Sequence, residues 1–380
     1  MTAKALELHS SALVIDGHND LPWKIREKGR SSFDVLDIAQ PQAELHTDIP
    51  RLRLGGVGAQ FWSAWVPPEL DKKGGATRTA LEQIDVIHRM VRRYPEVFEF
   101  AYTADDVTRI RRAGRIASLI GVEGGHTIEN SLGVLRMFHA LGVRYLTLTH
   151  TDTIDWADSA TDEPRHGGLT EFGESVVREM NRLGMLVDIS HVSVETMYDV
   201  LRVSRAPVIA SHSSAHALAA HPRNVPDDVL RLVAKNGGVI MVNFYSGFVE
   251  PQATQVALNM FHAFRKLRAE QRPEAEMTSA IQKWQRENPM PRGTVRTVAD
   301  HVDHIVKVAG VDHVGLGSDF DGITVTPVQL EDVSCFPNLT QELLTRGYRE
   351  QDVRKILGEN VLRALRGAEQ VARETRGTEE

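Results

Sequence analysis

Short apolar runs alternate with longer stretches of helical period along nearly the whole chain. Eight of the runs read as strands, at 12–15, 57–65, 116–122, 145–149, 185–189, 207–210, 238–243 and 313–317. Each is rich in β-branched or aromatic residues and too short for an ordinary helix. Residues 78–93, 171–183, 194–202 and 229–235 carry the amphipathic pattern of helices instead. Thr103-Ala-Asp-Asp106 marks a helix start, a hydroxyl cap followed by acidic first-turn residues. Gly114, Gly184, Gly237 and Gly310 mark helix ends.

Strands that alternate with helices predict a parallel sheet, because parallel neighbours need helical crossovers. Near-continuous apolar strands such as Val239-Ile-Met-Val242 fit burial on both faces. Eight strands suffice to close an α/β (β/α)8 TIM-like barrel; the rival is an open, doubly wound sheet. No linker, repeat or low-complexity tract divides the chain, so residues 1–380 read as one domain. An insertion at about 244–311 separates the seventh and eighth strands, and C-terminal helices begin at about 328. Within the insertion, 271–288 reads as a charged, Gln-rich helix on a solvated excursion. Helices at 338–346, 350–357 and 360–371 are expected to pack outside.

Composition narrows the class of protein. A hydrophobic share of 42% is that of a globular chain and excludes a disordered or collagenous one. With 44 basic against 51 acidic residues the net charge is −7, so there is no electrostatic footprint for nucleic acid. The single cysteine, Cys335, cannot form an internal disulfide or a cysteine-rich zinc site. The first ten residues hold no apolar core of signal-peptide length. No apolar run is long enough to span a membrane. A cytoplasmic location without membrane contact is the expectation.

Polar ligand-type residues gather where the strands end. The first strand leads into Asp16-Gly-His18-Asn-Asp20, and on extended backbone His18 and Asp20 point to one face. Glu123 closes the third strand, where a carboxylate is costly to bury unless something positive meets it. His150, His191 and His212 close the fourth, fifth and sixth, and Asp319 the eighth, with Asp321 two further on. Any one of these is more often a satisfied loop residue than a ligand. Six of eight strand ends alike is a pattern, and it favours the barrel, whose carboxyl ends surround one mouth. Imidazole and carboxylate without thiolate suit zinc. Three His, one Asp and one shareable Glu exceed the usual set of a single catalytic zinc, so two Zn²⁺ fit. With Asp20, Glu123 and a bridging hydroxide such a centre would carry about +1.

Longer motifs make a family visible. Val14-Ile-Asp-Gly-His-Asn-Asp-Leu-Pro-Trp23, Gly121-Val-Glu-Gly-Gly-His126, Tyr145-Leu-Thr-Leu-Thr-His150 and Asp188-Ile-Ser-His-Val-Ser193 resemble the renal (membrane) dipeptidase family. So do Ser211-His-Ser-Ser214, Arg223-Asn-Val-Pro-Asp-Asp228, Met241-Val-Asn-Phe-Tyr245 and Gly317-Ser-Asp-Phe-Asp-Gly322. The resemblance implies a dizinc amidohydrolase-like barrel that cleaves dipeptides, including those with a C-terminal D-residue, by attack of a metal-bridging hydroxide. It implies His18, Asp20 and Glu123 at one zinc and Glu123, His191 and His212 at the other. It further implies His150 as the group polarising the scissile carbonyl, and Arg223, assisted by Tyr245, as the clamp on the substrate carboxylate. Asp319 is implied as the proton shuttle, with Asp321 as its fallback. The secretory signal, lipid-anchor tail and disulfide cysteines of animal members are not seen in this sequence, which resembles a bacterial type. The oligomeric state stays open, a homodimer being the family habit. Hydrolysis of N-acyl amino acids or lactones in the same site, and a non-catalytic metal-binding barrel, are the alternatives.

Other candidates are set aside. Ser190, Ser211 and Ser213 adjoin the histidines, but no Gly-x-Ser-x-Gly elbow accompanies them. His126, His216 and His221 read as neighbours of the site rather than ligands. His301 and His304 read as a solvated helix face, and one of Trp62 and Trp65 is expected at the mouth.

Overall fold

A computed structural model describes residues 1–270 and 274–376. Its strands are β1 (Val14–Asn19), β2 (Val57–Trp65), β3 (Phe98–Phe100), β4 (Ile116–Glu123), β5 (Val143–Thr147), β6 (Leu186–Asp188), β7 (Ile209–Ala210), β8 (Val239–Val242) and β9 (Val314–Leu316). Eight of them close into a parallel ring. β1 pairs with β2 on one side and β9 on the other, β2 pairs with β4, and the order continues from β4 to β9. The pairing of Asp16 with Leu316 is the seam that excludes an open sheet. β3 stands outside the ring, attached to the first residues of β4. Its three residues are too few for a period-2 pattern to reveal it.

Alternate strand residues divide between two cores. Ile15, Phe61, Leu119, Tyr145, Val239 and Met241 pack inside the ring together with Val361 and Leu365 of the helix Asn360–Arg376. Val14, Trp62, Ile120, Leu146, Val187 and Val242 face the surrounding helices instead. The helix Asn360–Arg376, expected outside, therefore plugs the end where the strands begin. A Cβ on Gly358, just before it, would lie 2.3 Å from the carbonyl oxygen of Leu13.

Helix signals in the sequence act as expected. Thr103 and Asp106 form a reciprocal capping box. The helix Glu171–Leu183 starts on the Thr170 side chain and ends on Gly184 at φ 79°. The strands differ more. β1 runs on past Ile15 because the Asp16 carboxylate is satisfied within the barrel, accepting from the backbone N–H and hydroxyl of Ser318 at 2.7 and 2.6 Å. β6 and β7 are shorter than their apolar runs because the next residues leave the ladder: the N–H groups of Ser190 and Ser211 both donate to Asp188 Oδ1, at 3.0 and 2.8 Å.

The insertion departs most from expectation. It holds the helices Ser246–Val249, Pro251–Ala269, Glu274–Glu287 and Val295–Ala309, while residues 271–273 of the expected helix lie outside the described residues. Only part of it is a solvated excursion: no described residue of Glu274–Glu287 is buried, whereas the helices on either side are tied in. Arg268 grips Asp152 with two bonds of 2.7 Å, and Arg265 reaches Asp162 at 2.9 Å, so Pro251–Ala269 is tied across the strand ends. His301 is fully buried, bonded to the N–H of Ala215 and the oxygen of Val249, and His304 pairs with Asp227. Neither forms a solvated face. Among the described residues no helix is long and apolar enough to cross a membrane.

Candidate metal centre

The carboxyl ends of the barrel strands supply every member of one buried cluster. His18 lies within β1. Asp20 has left the strand (φ −96°, ψ 18°) to become the first residue of the turn into the helix Leu21–Glu27, and makes no capping bond there. Its carboxylate is thus free to sit 3.2 Å from His18 Nε2. Glu123, the last residue of β4, is the hub: Oε2 lies 3.3 Å from His18 Nε2, and Oε1 lies 3.0 Å from His191 Nε2 and 3.5 Å from His212 Nε2. The five residues that the sequence singles out as ligands are therefore gathered at one point. Potential ligand atoms of His18, Glu123 and His212 lie within 4.8 Å of one another, as do those of Glu123, His150 and His191, and those of His18, Asp20 and Asp319.

Neighbouring groups fix which imidazole nitrogen faces the centre. Tyr145 donates its hydroxyl to the Gly17 oxygen (3.2 Å), so at 2.8 Å it accepts from His18 Nδ1. Ser211 donates to Asp188 Oδ2 (2.6 Å), so at 2.8 Å it accepts from His212 Nδ1. In their neutral forms both histidines turn a bare Nε2 lone pair inward, the arrangement that metal ligation requires. His18 Nε2 has no hydrogen-bond partner, and the Nε2 atoms of His191 and His212 face each other at 2.9 Å. With its Nδ1 unpartnered, a neutral His191 carries its proton on Nε2, toward Glu123 and His212, and a cation bound among the three would take that proton's place. Burial opposes protonation of His18, yet Tyr145, Glu123 and Asp20 draw its pKa well above the ordinary value. Burial, then the His18 charge, lowers that of His212 well below it, and burial with Arg223 does the same to His191. Glu123 and Asp20 thus hold a proton on His18, and a divalent cation in that proton's place would leave three neutral imidazole ligands, which fits a metal centre.

Beside the cluster opens a cavity of about 420 Å³, which Asp20, Trp65, His150, Arg223, Tyr245 and Asp319 help to line. Trp65 donates to His150 Nε2 at 3.2 Å, which places the ring proton on Nδ1, and burial keeps the imidazole neutral. Trp62 is buried on Ser118, so Trp65 is the tryptophan of this pair at the mouth. Arg223 is 1% exposed, and its two bonds go to neutral oxygens, Ser213 Oγ at 3.2 Å and His212 O at 3.4 Å. Its Nε and the Tyr245 hydroxyl have no partner. Burial lowers its pKa to about 10, which leaves it charged at neutral pH. A buried cation with spare donors is arranged for an anion. Asp319 accepts from Asn243 Nδ2 at 2.8 Å, whereas Asp321 accepts from the His46 N–H and stands apart from the histidines.

Sequence reasoning missed Tyr145, Asp188 and Asn243, which orient the groups above. Asp188 did carry a signal, being a carboxylate inside an apolar strand. His126 and His221 are buried beside the site without joining it, and His216 bonds through its backbone to Val225.

Comparison with known proteins places the chain among peptidases. The family model described as membrane dipeptidase (peptidase family M19) matches residues 2–379. The dipeptidase verJ of Clonostachys rogersoniana is 43% identical over 388 residues, covering 100% of this chain and 90% of that protein. The probable dipeptidase PvdM from Pseudomonas aeruginosa superposes with a TM-score of 0.82 at 27% identity, over 97% of this chain and 98% of the other. A metallopeptidase from Rhodobacter sphaeroides, liganded with a phosphinate mimic of the dipeptide L-Ala-D-Ala, gives 0.77 at 25% identity, over 94% and 99%.

Proposed function

Because this chain belongs to the membrane dipeptidase family (peptidase family M19) and is a metallo-dipeptidase, we propose that it hydrolyses dipeptides with two zinc ions. His18, Asp20 and Glu123 would hold one ion, and Glu123, His191 and His212 the other. A pair of divalent cations so bound would acidify water to a nucleophile and polarise a carbonyl oxygen. The observation that carries this reading is the Glu123 carboxylate, with one oxygen on His18 and the other on His191 and His212.

The chain's own residues do the rest. Arg223 binds the substrate's terminal carboxylate through its unpartnered guanidinium edge, and the Tyr245 hydroxyl adds a second donor. That clamp sets the scissile bond against the cluster. His150 offers an N–H donor to the carbonyl oxygen as negative charge develops there. Asp319 takes a proton from the attacking water and returns it to the leaving amine. The Rhodobacter sphaeroides relative, which carries a mimic of L-Ala-D-Ala, supports extending the substrate range to C-terminal D-residues.

The test joins metal analysis to a substrate panel of L-L and L-D dipeptides, N-acyl amino acids and lactones. About two zinc ions per chain and turnover confined to dipeptides are expected. In Arg223→Met, zinc content should stay full while kcat/KM for dipeptides falls at least ~100-fold, the loss of a charge-assisted bidentate contact. Parent-like hydrolysis by that variant would remove the clamp, and turnover restricted to N-acyl substrates would reassign the enzyme.

A further inference from the structure

The cavity has a roof that the metal chemistry does not require. Met260, Phe261 and Phe264 reach it from the helix Pro251–Ala269, and Ile281 from the helix Glu274–Glu287. Their spacing gives each helix one face toward the cavity, apolar on the first and formed by Ile281 and Gln285 on the second. Gln285, the polar member of the roof, turns its amide onto Met260 Sδ at 3.3 Å. The Arg268–Asp152 bonds hold the roof in place two residues beyond His150. Below it an aromatic chain leads to the carboxylate clamp. The Phe261 and His221 rings lie 5.5 Å apart, His221 and Phe248 4.6 Å apart, and the Arg223 guanidinium sits 5.4 Å over Phe248.

A carboxylate bound at Arg223 leaves its own α-carbon one bond away. The ring nearest such a carboxylate is Phe248, with Phe261 further along the same row of rings, whereas the N-terminal residue would lie beyond the scissile bond. We propose that the apolar roof is the subsite for the substrate's C-terminal side chain and selects dipeptides that end in a bulky apolar residue. This rests on the dipeptidase reading above and adds the substrate class. Burying a Leu or Phe side chain there, where glycine buries nothing, should raise kcat/KM by about one to two orders of magnitude.

The test uses the zinc-loaded enzyme on Ala-Gly, Ala-Leu, Ala-Phe, Gly-Ala and Leu-Ala. The parent should favour Ala-Leu and Ala-Phe over Ala-Gly by at least about tenfold. In Phe261→Ala and in Ile281→Ala that ratio should shrink at least about fivefold, while the Leu-Ala to Gly-Ala ratio holds. Should a melting curve show Phe261→Ala to be unfolded, Phe264→Leu makes the same measurement. A parent without C-terminal discrimination, a ratio that survives the substitutions, or a loss confined to the N-terminal residue would overturn the subsite alone. An enzyme inert on all five peptides would overturn the dipeptidase reading and the subsite with it.

Discussion

Asp319 shows how far position alone can alter a side chain. Burial, then the negative charges of Asp20 and Glu123, push its pKa up to about 7 against the opposing His18 charge and the Asn243 amide. Divalent cations bound at Asp20 and Glu123 would draw that affinity down, so what suits Asp319 to a proton shuttle is its place beside Asp20 and His18 on the wall of the cavity. Asp319→Asn keeps the shape and loses the exchangeable proton. Turnover of the variant should fall at least ~10²-fold with zinc content unchanged. Metal analysis beside steady-state kinetics checks this, and undiminished kcat would take Asp319 out of the mechanism. Ser211 teaches the complementary lesson. Its hydroxyl, set aside as a nucleophile on sequence grounds, is committed to Asp188 and His212. The residue types at the strand ends were readable from the chain, but their orientation was not. The partners that settle it, Tyr145 for His18 and Asp188 for His212, come from other strands.

At the scale of elements, the centre depends on how closely β4 and β5 pack inside the ring. A Cβ placed on Gly121 would lie 1.9 Å from the Tyr145 ring, so only glycine leaves room for the phenol that holds His18. Gly121→Ala should lower stability by ~1–3 kcal/mol, the usual cost of overpacking, and weaken zinc binding by displacing Tyr145. Thermal melts and a zinc titration read both effects, and a variant matching the parent in both would contradict this packing. Helix ends marked by Thr103 and Gly184 were legible because caps and left-handed turns are local chemistry. β3 and the true ends of β6 and β7 were not, since a three-residue strand and a ladder ended by Asp188 depend on neighbours distant in sequence. The insertion misled in part for the same reason, although Glu274–Glu287 does keep its described residues exposed or half-buried. Its charged residues suggested solvent, but Arg265 and Arg268 are paired across to Asp162 and Asp152, and its apolar residues cover the cavity.

Over the whole molecule, closure of the ring joins the site to stability. The proposed metal pair would touch β1, β4 and the segments after β6 and β7, and so would bind the folded chain and not the unfolded one. At a free zinc concentration ~1,000 times the dissociation constant this linkage adds about 4 kcal/mol. Metal-stripped protein should therefore melt several degrees lower and recover on adding zinc. The shift should shrink toward pH 5, where protons compete for the imidazoles. Calorimetry in both states checks this, and equal melting temperatures would deny a structural reach to the centre. The alternation of strands and helices, the strand-end histidines and carboxylates, and the motifs that carry the family are legible along the chain, because these are local patterns. That Asn360–Arg376 plugs the barrel, that Tyr145 and Ser211 aim the imidazoles, and that the insertion roofs the cavity emerge with the folded chain. Each of these is a contact between distant segments, and hydrophobic periodicity says which face of an element is buried without saying what it meets.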